Sequence, residues 1–131
     1  MLFRSDIETP NGLTLSPDEK ILYANGGGAK MIRAYDVQAD DTVTNSRVLI
    51  DMSEDKRPGI TDGMKVDIQG NIYTTGPRGV WIISPQGKHL GTILLPELGA
   101  NVEFGDPDHK TLYIAARSSV YKIRVKTAGI P

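Results

Sequence analysis

The sequence contains no cysteine in its 131 residues. Without thiols, the chain cannot form disulfide frameworks, zinc ribbons or thiol nucleophiles, and the redox state of its compartment is left open. No apolar run approaches the roughly 20 residues that a membrane-spanning helix needs, and the N-terminus has no apolar stretch of the signal-peptide kind. We therefore expect a soluble chain without a signal peptide, cytoplasmic or periplasmic, and no membrane partner.

An excess of charge of either sign is also missing. The 15 basic and 16 acidic residues nearly cancel and are spread along the chain. Proteins that bind nucleic acids usually concentrate lysine and arginine in a patch or stripe, so we expect no nucleic-acid partner. The length fits one ordinary domain with a single core.

Helical periodicity with capping residues is absent from every window of the sequence. Instead, 14 glycines and 8 prolines punctuate the chain at the spacing of β-hairpins. Because these residues favour turns between short strands, they predict an all-β protein.

A similar hairpin occurs three times along the chain. In each copy a polar residue enters a short strand, a turn follows, and a second strand contains an aliphatic residue followed by tyrosine. The paired strands are expected at 11–16 and 21–24, at 62–67 and 72–75, and at 101–104 and 112–115. Further strands are expected at 31–37, 47–52, 79–83, 90–95 and 119–125, with the polar run 38–46 as a loop.

The spacing of the hairpins is irregular but close to the roughly 40–50 residues of a four-stranded propeller blade. We therefore predict about three β-propeller blades of antiparallel strands, approximately at 11–52, 62–95 and 100–125, with the last blade incomplete. A single β-sandwich is the alternative. It does not require the same hairpin, entered by the same polar-Gly pair, to recur.

Short motifs recur in a fixed order along the chain: PNGLTLSPDEKILY at 10–23, DGMKVD at 62–67, GNIY at 70–73, GVW at 79–81, FG at 104–105, PD at 107–108 and TLY at 111–113. These motifs resemble the gluconolactonase family, which includes the senescence marker protein and the luciferin-regenerating enzyme. The resemblance covers nearly the whole chain. The family consists of six-bladed propellers that bind one divalent cation, often calcium, in the central channel, and many members hydrolyse lactones or related esters. Only the family's C-terminal half has a counterpart here, which implies half of a six-bladed propeller.

The resemblance implies a cation site at Asn11 and Asp62, which match the Asn-Gly and Asp-Gly-Met motifs that supply two of the family's ligands. Calcium is the first candidate, and zinc and magnesium are alternatives. The family's third ligand, an early glutamate, has no counterpart, and Glu8 lies too close to Asn11 to replace it. Taken singly, Asn-Gly and Asp-Gly are also favoured turn dipeptides that tolerate positive φ.

The resemblance also implies that Asp62 is the catalytic base, because lactone hydrolysis needs a group that activates water. Asn101 enters the third repeat and is a candidate for substrate binding. Arg117, or Arg78, lies in a loop expected at the same mouth and is a second candidate. The alternative for both arginines is a solvated loop charge.

We therefore predict metal-dependent hydrolysis of a lactone or related ester, provided that the channel is completed. The expected substrate is a small-molecule lactone or a sugar-derived molecule. Missing blades of a longer protein could complete it, or a second copy of the chain in a homodimer. The alternative is a cation-binding or interaction module without catalysis, or an inactive truncated fragment.

Overall fold

The computed structural model describes residues 3–131, and within this range it contains eleven β-strands and no helix. The strands form three antiparallel sheets in which sequence neighbours are also spatial neighbours. The first sheet contains β1 (Pro10–Leu15), β2 (Ile21–Gly26), β3 (Met31–Val37) and β4 (Val43–Asp51). The second contains β5 (Met64–Val66), β6 (Ile72–Gly76), β7 (Gly79–Ile83) and β8 (His89–Leu94), and the third contains β9 (Gly99–Gly105), β10 (Thr111–Ala116) and β11 (Val120–Arg124).

Aspartates shape the hairpin turns that join the first two strands of each sheet. A carboxylate oxygen of Asp18 accepts a hydrogen bond from the Lys20 amide at 3.1 Å. Asp67 accepts one from the Gln69 amide at 2.9 Å, and Asp108 in the third sheet does so from Lys110. An aspartate that binds the backbone amide two residues later stabilises a turn, so the repeated local sequence produces the repeated hairpin.

The fourth strand of the first sheet begins earlier than we predicted. Residues 38–46 were expected to form a loop, but β4 starts at Val43 and runs for 9 residues. Val43 is buried against Tyr35, whereas the polar residues that follow it face outward at the edge of the sheet. The start of β4 was not predicted, because Val43 is the only apolar residue in its first five positions.

The sheets stack face to face, and the middle sheet is covered on both sides. One core lies between the first and second sheets and includes Tyr23 and Ile32 from the first and Ile72 and Ile83 from the second. A separate core joins the second sheet to the third, with the Tyr73 and Phe104 rings edge to face at 5.0 Å. Burial on both faces explains why every residue of β6 is buried.

This stacking identifies the sheets as propeller blades rather than a sandwich. A sandwich has one core between two sheets, whereas here two cores lie on opposite faces of the middle sheet. The first strands of the sheets, β1, β5 and β9, lie next to one another, as the inner strands of a propeller do. The expected all-β blade architecture is confirmed.

Residues 126–131, which we call the C-terminal strap, cross from the third sheet back to the second. The Ile68 amide donates to the Ala128 carbonyl at 2.9 Å, and the Gly129 amide donates to the His109 carbonyl at 2.8 Å. The strap therefore ties the β5–β6 turn of the second sheet to the β9–β10 turn of the third, at the end of the molecule opposite the entry to the inner strands.

Two surfaces at the ends of the stack are open. On the first sheet, Phe3, Leu13, Leu22 and Tyr35 line an apolar groove of about 330 Å³. On the third sheet, β11 is the outer edge strand, as β4 and β8 are in the other two sheets, and its Val120 is 74% exposed. In residues 3–131 there is no helix that is both long and apolar enough to span a membrane.

Candidate functional site

Polar residues from the three inner strands line one groove. Asn11 on β1, Asp62 just before β5 and Asn101 on β9 all contribute to a depression of about 400 Å³. All three lie at the same end of their sheets, because each inner strand runs in the same direction through its blade. The structure thus brings together three of the four residues that the sequence indicated as site residues.

Glycines let the inner strands approach closely enough to form this groove. A Cβ atom on Gly12 would lie 2.1 Å from the backbone oxygen of Asp62, and one on Gly63 would lie 1.9 Å from Oδ1 of Asn101. Both distances are far below any van der Waals contact. Among the described glycines, positive φ occurs at Gly59, Gly70, Gly79 and Gly87, not at these two positions. The Asn-Gly and Asp-Gly pairs are therefore close-packing sites and not positive-φ turns.

Asn25, at the end of β2, links the first two inner strands. Its side chain is completely buried. Its Oδ1 accepts a hydrogen bond from the Gly12 amide at 2.8 Å, and its Nδ2 donates to the Asp62 carbonyl at 2.6 Å. The same nitrogen lies 3.4 Å from Oγ1 of Thr74. One side chain therefore bonds to the residue after Asn11 and to Asp62 itself.

A hydrogen bond between backbone groups alone joins the second inner strand to the third. The Gly63 amide donates directly to the Ala100 carbonyl at 2.9 Å. Oδ1 of Asn101 accepts a hydrogen bond from the Val102 amide at 2.9 Å, which holds the side chain against Gly63. Asp62 is thus flanked on one side by Asn25 and on the other by this backbone bond.

Lys65 extends the groove further along β5. Its ammonium group forms an ion pair with Glu103 on β9 at 3.0 Å. Asp62 is the only carboxylate among the residues that line the groove. Within residues 3–131, no group of three or more His, Cys, Asp or Glu side chains is arranged to hold a metal ion.

The donor atoms of the groove are hard oxygens. Carboxylate and amide oxygens suit calcium, which takes six to eight such ligands, and magnesium, which takes six. Asn11, Asp62 and Asn101 supply one carboxylate and two amides, a set that fits a hard cation but leaves coordination positions to water, substrate or further protein groups. Zinc, which prefers nitrogen and sulfur ligands, fits this set less well.

Arg117 lies in a different groove from the other candidate residues. It lines a depression of about 400 Å³ between the second and third sheets, together with Arg78, Glu97 and Leu98. Both arginines are exposed. This groove opens at the same end of the molecule as the inner-strand groove, since the β6–β7 and β10–β11 turns both lie there.

Glu97 fixes one wall of this second groove. Its carboxylate accepts hydrogen bonds from the Ser118 hydroxyl at 2.7 Å and from the Tyr121 hydroxyl at 2.8 Å. These bonds, the Ser118 hydroxyl foremost, lower the pKa of Glu97 to about 2. The turn that carries Arg117 is therefore held to the link between β8 and β9.

Glu8 is not among the residues that line the inner-strand groove. It lines a smaller depression with Asp6, Gly26 and Arg33 on the other side of the β2–β3 turn.

Sequence reasoning missed Asn25. The only signal available was a polar residue at the end of a strand whose other residues are apolar, and that pattern does not reveal a partner 37 residues away.

Known proteins are similar to this chain in both sequence and fold. The sequence pattern of the SMP-30/Gluconolactonase/LRE-like region matches residues 1–118. A gluconolactonase of Zymomonas mobilis is 32% identical over 136 residues, covering 98% of this chain and 38% of the relative. A regucalcin of Danio rerio is 35% identical over 116 residues, covering 84% of this chain and 38% of the relative.

Among solved structures, a gluconolactonase of Xanthomonas campestris superposes with a TM-score of 0.80 at 28% identity, covering 92% of this chain and 39% of that protein. The chain therefore spans about two fifths of the length of these relatives.

Proposed function

Because the chain belongs to the SMP-30/Gluconolactonase/LRE-like family, we propose that it contributes the cation-binding part of a site that hydrolyses a lactone. The substrate class is a small cyclic ester derived from a sugar. Relatives named gluconolactonase and pentonolactonase support this class.

The observation that carries the proposal is the meeting of Asn11, Asp62 and Asn101 in one groove at the inner strands. These strands come from three different blades, so the three side chains lie far apart in the sequence. A purely structural role would not require hard-oxygen donors from all three blades to face the same space.

In the proposed reaction, water attacks the carbonyl carbon of the lactone and the ring C–O bond breaks, which gives a hydroxy acid. The Asp62 carboxylate takes a proton from the attacking water and returns it to the departing ring oxygen. Asn11 and Asn101 orient the water and the ester through their amides. Arg117 or Arg78, in the neighbouring groove, would contact more distant oxygen atoms of the substrate.

A bound divalent cation would supply charge stabilisation at the ester oxygen. Asn11 and Asp62 are the residues proposed to hold it, and the hard-oxygen donor set favours calcium, then magnesium, over zinc.

Completion of the channel is part of the proposal. The relatives are more than twice as long as this chain, so further blades are needed to enclose the groove. They come either from a longer protein that contains this sequence or from a second copy of the chain.

The test uses the purified chain, calorimetric titration with calcium chloride, and proton release from D-glucono-δ-lactone. We expect cation binding in the parent, turnover where a second copy completes the channel, and loss of both in Asp62→Ala. Asp40→Ala is the matched control, because it removes an exposed carboxylate from the β3–β4 turn at the far end of the first sheet. If Asp62→Ala binds calcium as the parent does, the site assignment is wrong.

A second candidate function is cation binding without catalysis. It is favoured by the presence of a single carboxylate in the groove, because hydrolysis would require this one group to act both as cation ligand and as general base. Calcium binding that is lost in Asp62→Ala, with no lactone turnover in the parent, would support this candidate over the enzyme.

A further inference from the structure

Asn25 is the fully buried polar side chain whose hydrogen bonds reach both ligand-bearing strands. The Gly12 amide lies at the register shift of β1 between Pro10 and Leu13, and Asp62 precedes the first residue of β5, so neither group is paired in the ladder of its own sheet. A buried backbone group without a hydrogen-bond partner destabilises the folded state. The amide of Asn25 satisfies both groups at once.

The chemistry of the two bonds requires an amide. The Gly12 N–H needs an acceptor and the Asp62 carbonyl needs a donor, which fixes the orientation of the Asn25 side chain. A carboxylate of the same size could accept from Gly12 but could not donate to Asp62. A leucine side chain of similar volume could do neither.

The bonds also set the distance between the proposed ligands. Asn11 is covalently joined to Gly12, and the bond from Asn25 ends on the backbone of Asp62 itself. At the next junction the strands need no such bridge, because Gly63 bonds directly to Ala100. The separation between β1 and the segment that carries Asp62 therefore depends on the Asn25 side chain.

From this geometry we infer that Asn25 is a positioning residue for the cation site, holding Asn11 and Asp62 at a fixed separation. The inference rests on the proposed function, since it assigns to Asn25 a role in the same site. Buried partners that orient metal ligands typically contribute about 10- to 100-fold in metal affinity.

The test compares the parent with Asn25→Asp, Asn25→Leu and Ile32→Val. Ile32 is the cross-strand partner of Asn25 and is fully buried in the core between the first two sheets. Its substitution destabilises the same junction without touching Asp62. We expect calorimetric titration with calcium chloride to show affinity reduced by about 10- to 100-fold in both Asn25 variants, and nearly unchanged affinity in Ile32→Val.

Amide hydrogen exchange without cation provides a second readout, and it does not depend on activity. The Gly12 amide should remain protected in Asn25→Asp, which keeps the acceptor, and lose protection in Asn25→Leu. Calcium affinity equal to the parent's in the Asn25 variants would overturn the positioning role and leave the proposed function intact. A parent that binds no calcium would overturn both, whatever the exchange pattern.

Discussion

At the scale of single residues, the site depends on the absence of two side chains. Gly12 and Gly63 follow the two proposed ligands, and each contacts the backbone or side chain of the next inner strand at a distance that leaves no room for a methyl group. Inner strands of neighbouring blades can therefore approach at these two points and bring their polar residues together.

Gly63→Ala tests this close approach. The added Cβ would lie 1.9 Å from Oδ1 and 2.7 Å from Cα of Asn101, so β5 and β9 must separate. We expect a loss of about 1–3 kcal/mol in the free energy of unfolding, measured by urea denaturation.

Gly91→Ala is the control for this prediction. Gly91 lies in a strand, and a Cβ there would meet nothing within 4 Å. It should be neutral or stabilise by about 0.5 kcal/mol. Equal stability of Gly63→Ala and the parent would show that the strands have more space than the structure indicates.

Residue types at the site could be predicted from the sequence, but their contacts could not. Asn11 and Asp62 were identified because their Asn-Gly and Asp-Gly-Met motifs resemble those of the gluconolactonase family. The close packing at the two glycines could not be predicted from the sequence, because it depends on a neighbouring blade and not on local turn geometry. Asn25 was missed for the same reason, since one of its partners lies in β1 and the other in the segment before β5. The chemical roles of Asn11, Asp62, Asn101 and Arg117 stay predictions.

At the scale of elements, the repeated hairpin predicted most of the strands. Aliphatic-tyrosine pairs and aspartate turns are local signals, so the first two strands of each sheet lie within about two residues of the expected bounds, although β5 (Met64–Val66) is shorter than the strand expected at 62–67. The start of β4 was hidden because an outer edge strand needs few apolar residues. The burial of the middle sheet on both faces could not be read from any single strand, since it results from stacking.

The turn that carries Arg117 gives a pH-dependent prediction at this scale. Hydrogen bonds from Ser118 and Tyr121 lower the pKa of Glu97 from 4.5 to about 2. A carboxylate whose pKa is lower in the folded state stabilises the fold above its unfolded pKa, and this contribution is lost as the pH falls from 4.5 towards 2. We expect the stability difference between the parent and Glu97→Gln to shrink between about pH 6 and about pH 3.

Urea denaturation of both proteins at the two pH values measures this effect. Ser118→Ala is the informative companion, because it removes the hydroxyl donor and should shift the loss of stability to higher pH. A difference between the parent and Glu97→Gln that does not change with pH would contradict the role of the charged carboxylate.

At the scale of the whole molecule, the stack of blades has two unpaired ends. The apolar groove of the first sheet and the edge strand β11 of the third both face away from the rest of the chain. Exposed strand edges and apolar grooves favour association with other strands or copies. We therefore expect the isolated chain to self-associate, with a sedimentation coefficient that rises with concentration.

Val120→Lys should weaken this association, because a lysine on an exposed edge strand opposes strand pairing. Ile68→Lys is the matched control: it makes the same kind of change at an exposed apolar residue, but in a turn. A chain that remains monomeric at every concentration would argue against completion by a second copy and in favour of a longer protein.

The C-terminal strap has a consequence for the order in which the molecule folds. Each sheet is a series of hairpins between sequence neighbours, and such local contacts form quickly. The bonds from Ala128 and Gly129 to the turns at Ile68 and His109 join segments distant in sequence, so a long loop must close before they form. We expect the strap to dock after the rate-limiting step, so that Ala128→Gly speeds unfolding and leaves the refolding rate unchanged. The blades would then form first as separate hairpin units. The strap would chiefly lower the unfolding rate of the assembled stack.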